Sequence, residues 1–383
     1  MSDKLIDISS LPSDIKIEKR NEIGTVVFDT EKYNVIYEYG YARSGKTTNL
    51  INNMCMYLDN SSTSRRVVYI VDSVLHMESL TKKIVSHMNS RYIASKSNPT
   101  EVFVSPTGDE WTGIDGPIFE YESNKNAKLR LECLCTETGL VSSVSEITSM
   151  IERQFSKVII HNILVVDAAS CILLTNSMYL DLVVLDDVSF TVMELYNFRV
   201  MPFKGKQEVF ERFMYLVHKA DNLWISAPKI SRPLVDLFSK INKPSKRVLY
   251  RLMNGKTVES MLLCDDTKKM TSLLDDESSK YIVCDLPDFL EHIFKRLSNK
   301  FGISNCVLLQ KGMKYEKLHR ELASLSKYKF ILTDPFALSG VDIDGEYTSI
   351  GIQFGDEAKI NSVNSLMKVN NSKKIYMFDF SRS

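Results

Sequence analysis

The chain has 383 residues, 44% of them hydrophobic and 25% charged, with Lys+Arg 48 against Asp+Glu 48. That length accommodates two domains of ordinary size, and that much apolar material excludes global disorder. A formal charge of +0 excludes a chain-wide basic field, so a nucleic-acid partner has to be met by a local basic groove. The cysteines number seven, with no CxxC pair, and the six histidines sit at no zinc-ligand distance from them. Buried reduced thiols in a soluble intracellular protein are the expectation, with cytoplasm and nucleus not distinguished. The polar N-terminus lacks a signal core and no apolar run approaches a membrane span, so no membrane partner is expected.

Residues 1–22 are polar and charged and read as an N-terminal arm. Asn34 to Leu58 then reads as a strand, a tight turn and a helix. Inside it, Gly40-Tyr-Ala-Arg-Ser-Gly45-Lys46-Thr47 is a full GxxxxGK[ST] match. Background residue frequencies produce that pattern in roughly one per cent of chains this long, so the match is specific. Val35, Ile36 and Tyr37 supply the strand, and Leu50, Ile51, Met54 and Leu58 recur at helical spacing. Gly40 and Gly45 permit backbone angles that aim successive N–H groups at one anion, and the helix end adds its positive dipole. Lys46 is placed to pair with the β- and γ-phosphates, and Thr47 to hold Mg²⁺. The candidate nucleotide set is Gly40, Ala42, Arg43, Ser44, Gly45, Lys46, Thr47 and Thr48. Arg43 reads either as a contact to nucleotide or as a solvent-exposed charge.

Arg66 to Val71 is a buried strand, and Ser79 to Met88 a helix with Leu80, Ile84 and Met88 on one face. Residues 95–145, rich in Ser, Asn, Gly and Pro, read as an insertion or hairpin elaboration. Trp111 and Tyr121 fall there and read as packing residues ahead of base-stacking ones. Glu146 to Phe155 is a candidate helix and Asn162 to Val166 a strand. Leu182-Val-Val-Leu185 followed by Asp186-Asp187 is the second landmark. An apolar run ending in acids fits a central parallel strand with the carboxylates at its carboxyl end, where ligands of α/β sheets bind. Asp186 would hold Mg²⁺ and Asp187 position the attacking water; the alternative is a helix cap.

Glu208 to Ala220 is a helix, Leu223 to Ala227 a strand, and Leu234, Leu237, Phe238 and Ile241 mark another helix face. Residues 243–280 read as a linker, with Lys240, Lys243, Lys246 and Arg247 as a basic cluster that reads as solvated ahead of contacting phosphates. The second half repeats the same grammar: Tyr281 to Cys284, Cys306 to Leu309, Phe330 to Leu332, Ser349 to Phe354 and Ile375 to Phe380 as strands. Helices are expected at Leu286 to Leu297, Tyr315 to Leu325 and Ile360 to Val369. Alternating strand and helix implies parallel sheet. The organisation expected is a first domain over 23–242 and a second over 281–383, with a phosphate loop only in the first.

In this order the landmarks resemble superfamily 2 helicases, most closely the herpesvirus-type replication origin-binding protein family. The residues that carry the resemblance are Gly40–Thr47; Tyr69-Ile-Val-Asp-Ser-Val-Leu-His-Met-Glu-Ser-Leu80; Asp181-Leu-Val-Val-Leu-Asp-Asp187; Trp224-Ile-Ser-Ala-Pro228; and Thr333-Asp-Pro-Phe-Ala-Leu-Ser-Gly-Val-Asp342. Asn364 to Asn371 stands where the family carries arginines. The resemblance implies an α/β fold of two tandem RecA-like parallel-sheet domains with a nucleotide cleft between them. It also implies ATP and Mg²⁺ as cofactors, DNA or RNA as partner, and an association with replication-complex proteins. Thr333, Gly340 and Asp342 would line the cleft and the nucleic-acid track, and Lys368 would stand in for an arginine beside Lys46, Asp186 and Asp187.

The departures matter. The family's second acid is Glu where this chain has Asp187, and its coupling acids are replaced by Ser226 and Pro228. Lys368 keeps a charge without the bidentate fork, and an arginine finger contributes on the order of 10³-fold or more to rate. Two readings follow: an ATPase that translocates on or unwinds nucleic acid, or a helicase-like scaffold with weakened hydrolysis. A nucleotide kinase or AAA-type ATPase fits less well, lacking an arginine-rich or helical lid.

Overall fold

The computed structural model describes residues 14–20, 26–40, 44–91, 93–94, 119–122, 128–134, 160–168, 170–171, 174, 179–189, 191–192, 203–228, 230, 232–239, 246–252, 261–264, 266–311, 313, 315–355 and 359–381. The chain divides into two compact units, one built from residues up to Asn254 apart from 41–44, the other from 41–44 and from Gly255 onward.

The first unit runs β1 (Ile15–Arg20), β2 (Val35–Tyr39), α1 (Lys46–Asp59), β3 (Arg66–Val71), α2 (Val74–Arg91), β4 (Ile93–Ala94), β5 (Phe119–Glu122), β6 (Lys128–Leu134), β7 (Ile160–Asp167), β8 (Leu182–Leu185), α3 (Phe203–Lys219), β9 (Asn222–Ala227), α4 (Arg232–Ser239) and β10 (Arg247–Leu252). Its strands form a ten-stranded sheet in the order β1-β10-β2-β9-β8-β3-β7-β6-β5-β4. Every pairing from β1 through to β6 is parallel; β5 is antiparallel to both β6 and β4. The β5–β6 hairpin lies in the segment read as an insertion. Trp111 and the helix expected at Glu146 to Phe155 lie outside the described residues.

Central strands covered on both faces favour apolar residues, and β2 and β8 are buried throughout, β2 with Glu38 among its apolar members. The period of two sends Val35, Tyr37 and Tyr39 to one face, where they meet Val209, Phe213 and Val217 of α3 and Val235 and Phe238 of α4. Ile36 and Glu38 therefore face the other way, toward α1, which buries Leu50, Ile51, Met54, Cys55 and Leu58.

The second unit runs β11 (Met261–Cys264), α5 (Thr267–Asp275), β12 (Lys280–Cys284), α6 (Pro287–Phe301), β13 (Cys306–Leu309), α7 (Tyr315–Leu322), β14 (Phe330–Thr333), β15 (Ile343–Gln353), α8 (Lys359–Leu366) and β16 (Val369–Asp379). Its sheet has the order β11-β16-β15-β12-β14-β13, parallel throughout. One face packs Ile282, Phe330, Leu332 and Ile350 on Leu290, Ile293 and Leu297 of α6. The other packs Tyr281, Ile331 and Met377 on Leu338 and Leu366. The fold is thus two α/β units on parallel sheets, as the alternating grammar predicts.

Two segments differ from their sequence reading. The supposed arm contributes β1, which adds to the sheet edge through β10 with Ile15 opposite Arg247. Its charges at Lys16, Glu18, Lys19 and Arg20 mask a short alternation in which Ile15 and Ile17 reach the core. The supposed linker contributes β10 to the first sheet and β11 and α5 to the second. Arg247 is accordingly a buried strand residue, donating to the Ser239 carbonyl at 3.1 Å, not part of a solvated cluster. Lys240 and Lys243 lie outside the described residues.

Candidate nucleotide-binding site

The site sits at the carboxyl ends of β2, β8 and β9 in the first unit. Gly45 ends the turn with φ 86°, a left-handed value that glycine adopts without strain, and α1 begins at the next residue. Gly45 has no side chain to cap the helix and no acid stands in the first turn, so the first-turn N–H groups and dipole are left to an outside acceptor. The Lys46 ammonium is buried and donates to the Gly40 carbonyl at 2.8 Å, spanning the turn. Ser44 is buried and Thr48 exposed beside it. Ala42 and Arg43 lie outside the described residues.

The acids of the second landmark meet this turn. Thr47 Oγ1 donates to Asp186 Oδ2 at 2.8 Å across 139 positions of sequence. Asp186 is only 1% exposed, and its oxygens are shared among four further groups. Tyr69 of β3 donates its hydroxyl to Oδ2 at 3.2 Å, and His76 Nε2 stands 3.9 Å from the same atom. On Oδ1, the Ser226 hydroxyl donates, as does the Asp187 N–H at 3.1 Å. The pairing of Leu185 with Ile225 sets this up, since the next residues along are Asp186 and Ser226.

Asp187 has φ 46°, the one positive value at a non-glycine position among the described residues. Its N–H also reaches Ser226 Oγ at 3.2 Å, and its carbonyl accepts from Thr191 N at 3.4 Å. So Asp187 opens the following helical turn through its main chain, while the bent backbone is held by Ser226. The sequence reading treated Ser226 as a lost acid; the structure shows it bonded to both aspartates.

Burial and neighbouring charge shape the titration of this cluster. Burial pushes the Tyr69 phenol well up, reinforced by Asp186. For His76, burial pulls the imidazole down, but its 2.6 Å bond to Asp72 and the charges of Asp72, Asp186 and Asp187 more than offset this and raise it. Glu38, fully buried on β2, is pushed up to about 8, by burial first, with the Asn49 bond and Lys46 charge pulling down and Asp186 pushing up.

Mg²⁺ takes oxygen donors, keeps several waters and uses few protein ligands beside substrate phosphates. A hydroxyl and a carboxylate already 2.8 Å apart, next to a buried ammonium, match that demand. Among the described residues no group of three or more His, Cys, Asp or Glu could hold a metal alone. Thr47 and Asp186 would hold such an ion together with the oxygens of a bound phosphate.

The remaining candidates belong to the second unit. Gly340 has φ 72° and closes the turn after β14, and Asp342 is exposed just before β15. Thr333 donates to the Asp334 carbonyl at 2.9 Å, and the Asp334 carboxylate accepts from the N–H groups of Lys311, Phe336 and Ala337. Lys368 is 4% exposed and donates to the Leu338 carbonyl at 2.6 Å. That bond joins the amino end of β16 to the Leu338–Gly340 turn. Sequence reasoning missed Tyr69 and His76, although both lie in the quoted Tyr69–Leu80 segment, and missed Glu38 within an apolar run.

No family model matches the chain, and no curated protein matches it. Solved structures do. Mss116p bound to ssRNA and AMP-PNP aligns at 12% identity over 92% of this chain and 67% of that one, with TM-score 0.56. S. cerevisiae Dbp5 bound to RNA and ADP BeF3 aligns at 9% identity over 91% and 78%, with TM-score 0.55. The Mycobacterium smegmatis helicase Lhr bound to ssDNA and AMP-PNP aligns at 11% over 91% and 44%, with TM-score 0.53. Both units of this chain thus share the fold of these proteins. Among the described residues, no helix is long and apolar enough to cross a membrane.

Proposed function

We propose that the chain is a helicase-like, ATP-binding protein that couples nucleotide to nucleic acid. The observation that carries this is the convergence of Lys46, Thr47 and Asp186 at one strand edge, with the Thr47–Asp186 bond at 2.8 Å. Lys46 would exchange the Gly40 carbonyl for phosphate oxygens. Thr47 and Asp186 would hold Mg²⁺, which neutralises charge developing on the transferred phosphoryl group. Asp187 would orient the attacking water, with its bent backbone fixed by Ser226. The fold shared with RNA- and DNA-bound helicases supports nucleic acid as the partner. The ordered motifs that resemble origin-binding proteins extend the reading to replication and its protein complexes. Buried cysteines in no disulfide at Cys55, Cys133, Cys171, Cys284 and Cys306 suit a reducing intracellular setting.

A specific observation favours a second reading, a scaffold that binds nucleotide and hydrolyses it slowly. Lys368, the one cation between Asn364 and Asn371, stands at the amino end of β16 with its ammonium on the Leu338 carbonyl, whereas ligands of α/β sheets bind at the carboxyl ends of the strands. Steady-state ATP turnover with and without single-stranded DNA or RNA separates the two. The motor reading expects turnover that nucleic acid stimulates and that Lys46→Ala abolishes. Turnover no greater than that of Lys46→Ala, under every condition, would leave the scaffold.

A further inference from the structure

Glu38 is the least expected residue of the first unit. It occupies the fourth position of a five-residue strand whose other members are Val, Ile and two Tyr, and it is 0% exposed. Oε1 accepts from the Asn49 amide of α1, whereas Oε2 has no hydrogen-bond partner among the described residues. Neither oxygen bonds Asp186 or Thr47. A fully buried carboxylate with one bare oxygen is costly when charged and much less so when protonated.

The groups around Glu38 come from every neighbouring element. Lys46 on the first turn of α1 favours its charge, and Asp186 at the end of β8 opposes it. Tyr69 on β3 feels the charge of Glu38 in turn. Ser226 of β9 and Tyr250 of β10 flank it in register. Among the described residues, Lys46 is thus the cation that acts on Glu38, and it is also the residue that phosphates would engage. Asn49 continues the contact inward: the Asn53 amide donates to the Asn49 carbonyl at 2.9 Å and to the Val26 carbonyl at 2.6 Å, and Asn53 Oδ1 accepts from Phe28 N at 2.8 Å.

We propose that Glu38 is the proton-carrying residue of the nucleotide site, so that binding of a nucleoside triphosphate is coupled to protonation of its carboxyl. This rests on the reading of Gly40–Thr47 as a nucleotide site. Phosphates bring several negative charges to Lys46 and share its ammonium, which removes the support for the ionised form of Glu38. The carboxylate takes one proton from solvent and becomes a neutral acid; no bond to nucleotide forms. By linkage the nucleotide then binds less tightly as pH rises through the range in which free Glu38 ionises. The Asn49–Asn53 bonds join the first turn of α1 to the backbone of residues 26–28, so a change of state at Glu38 is felt there too.

The test is calorimetric titration of the full chain with ATP and Mg²⁺ at pH 8.5, in two buffers of different ionisation enthalpy. Phosphate ionisation is complete at that pH, so proton uptake reports protein groups. The parent should take up a few tenths of a proton per nucleotide, and its affinity should fall about threefold or more between about pH 7 and 9.5. Glu38→Gln, and Glu38→Leu if the amide variant fails to fold, should take up none and show a flat profile. Binding by the parent without proton uptake, or with uptake that both variants retain, overturns the proposal. A parent that binds no ATP at any pH overturns the nucleotide-site reading along with it.

Discussion

At the carboxyl ends of β2, β8 and β9 in the first unit, the acids bond mainly other side chains, while Lys46 donates to main chain, at the Gly40 carbonyl. Thr47 and Tyr69 donate to Asp186, Ser226 spans both aspartates, and Asn49 holds Glu38. At the carboxyl ends of β12 and β14 in the second unit, charged side chains bond main chain. Asp334 accepts three N–H groups and Asp285 accepts those of Phe354 and Gly355; Lys368, at the amino end of β16, likewise donates to a main-chain carbonyl, that of Leu338. Parallel sheets present their loops at the same edge in both cases, but the chemistry differs. Side-chain partners can rotate and be exchanged for a ligand. A carboxylate that satisfies turn amides cannot leave them without unmaking the turn. On the proposed nucleotide reading, the first edge would exchange its side-chain partners for a charged ligand, while the acids of the second hold their turns.

That contrast can be broken from either side. Asp186→Ala should remove the Mg²⁺-dependent part of nucleotide affinity, about 100-fold or about 2.7 kcal/mol, as read by titration with and without Mg²⁺. If Mg²⁺ enhances binding equally in the variant, the acids are not at the metal. Lys368→Met should instead act on stability: the Leu338 carbonyl loses its donor, for a cost of about 1–2 kcal/mol in urea unfolding. An unchanged midpoint would show that the bond to Leu338 holds nothing. Ser226→Ala sharpens the comparison further, since it leaves the charges in place and removes only the bridge between them. A loss of about 1 kcal/mol in Mg²⁺-dependent nucleotide affinity is expected, with Mg²⁺-free binding affected less.

The parts of the fold legible in the sequence are those where one physical requirement dominates. Leu182–Leu185 and Val67–Val71 are apolar because both sheet faces are covered, and their strand assignment follows directly. Gly45 is legible because its left-handed backbone admits few alternatives. The edge strand β1 and its neighbour β10 are different. In β1 and β10 the charges of Lys16, Lys19, Arg247 and Arg251 outweigh a short apolar alternation, so composition alone suggests arm and linker. The site divides in the same way. Lys46, Thr47, Asp186 and Asp187 carry local signatures. Ser226 and Tyr69 join them only through strand register, which brings Leu185 opposite both Ile225 and Ile70. Glu38 was hidden because a single acid inside an apolar strand reads as noise until its burial is seen.

The central claim is that the turn after β2 holds a triphosphate, and the most direct measurement is ATP–Mg²⁺ affinity of the parent chain beside Lys46→Ala. Removing the buried ammonium should weaken binding at least about 100-fold, with the fold intact by circular dichroism. Equal affinity in a folded Lys46→Ala protein would contradict the account.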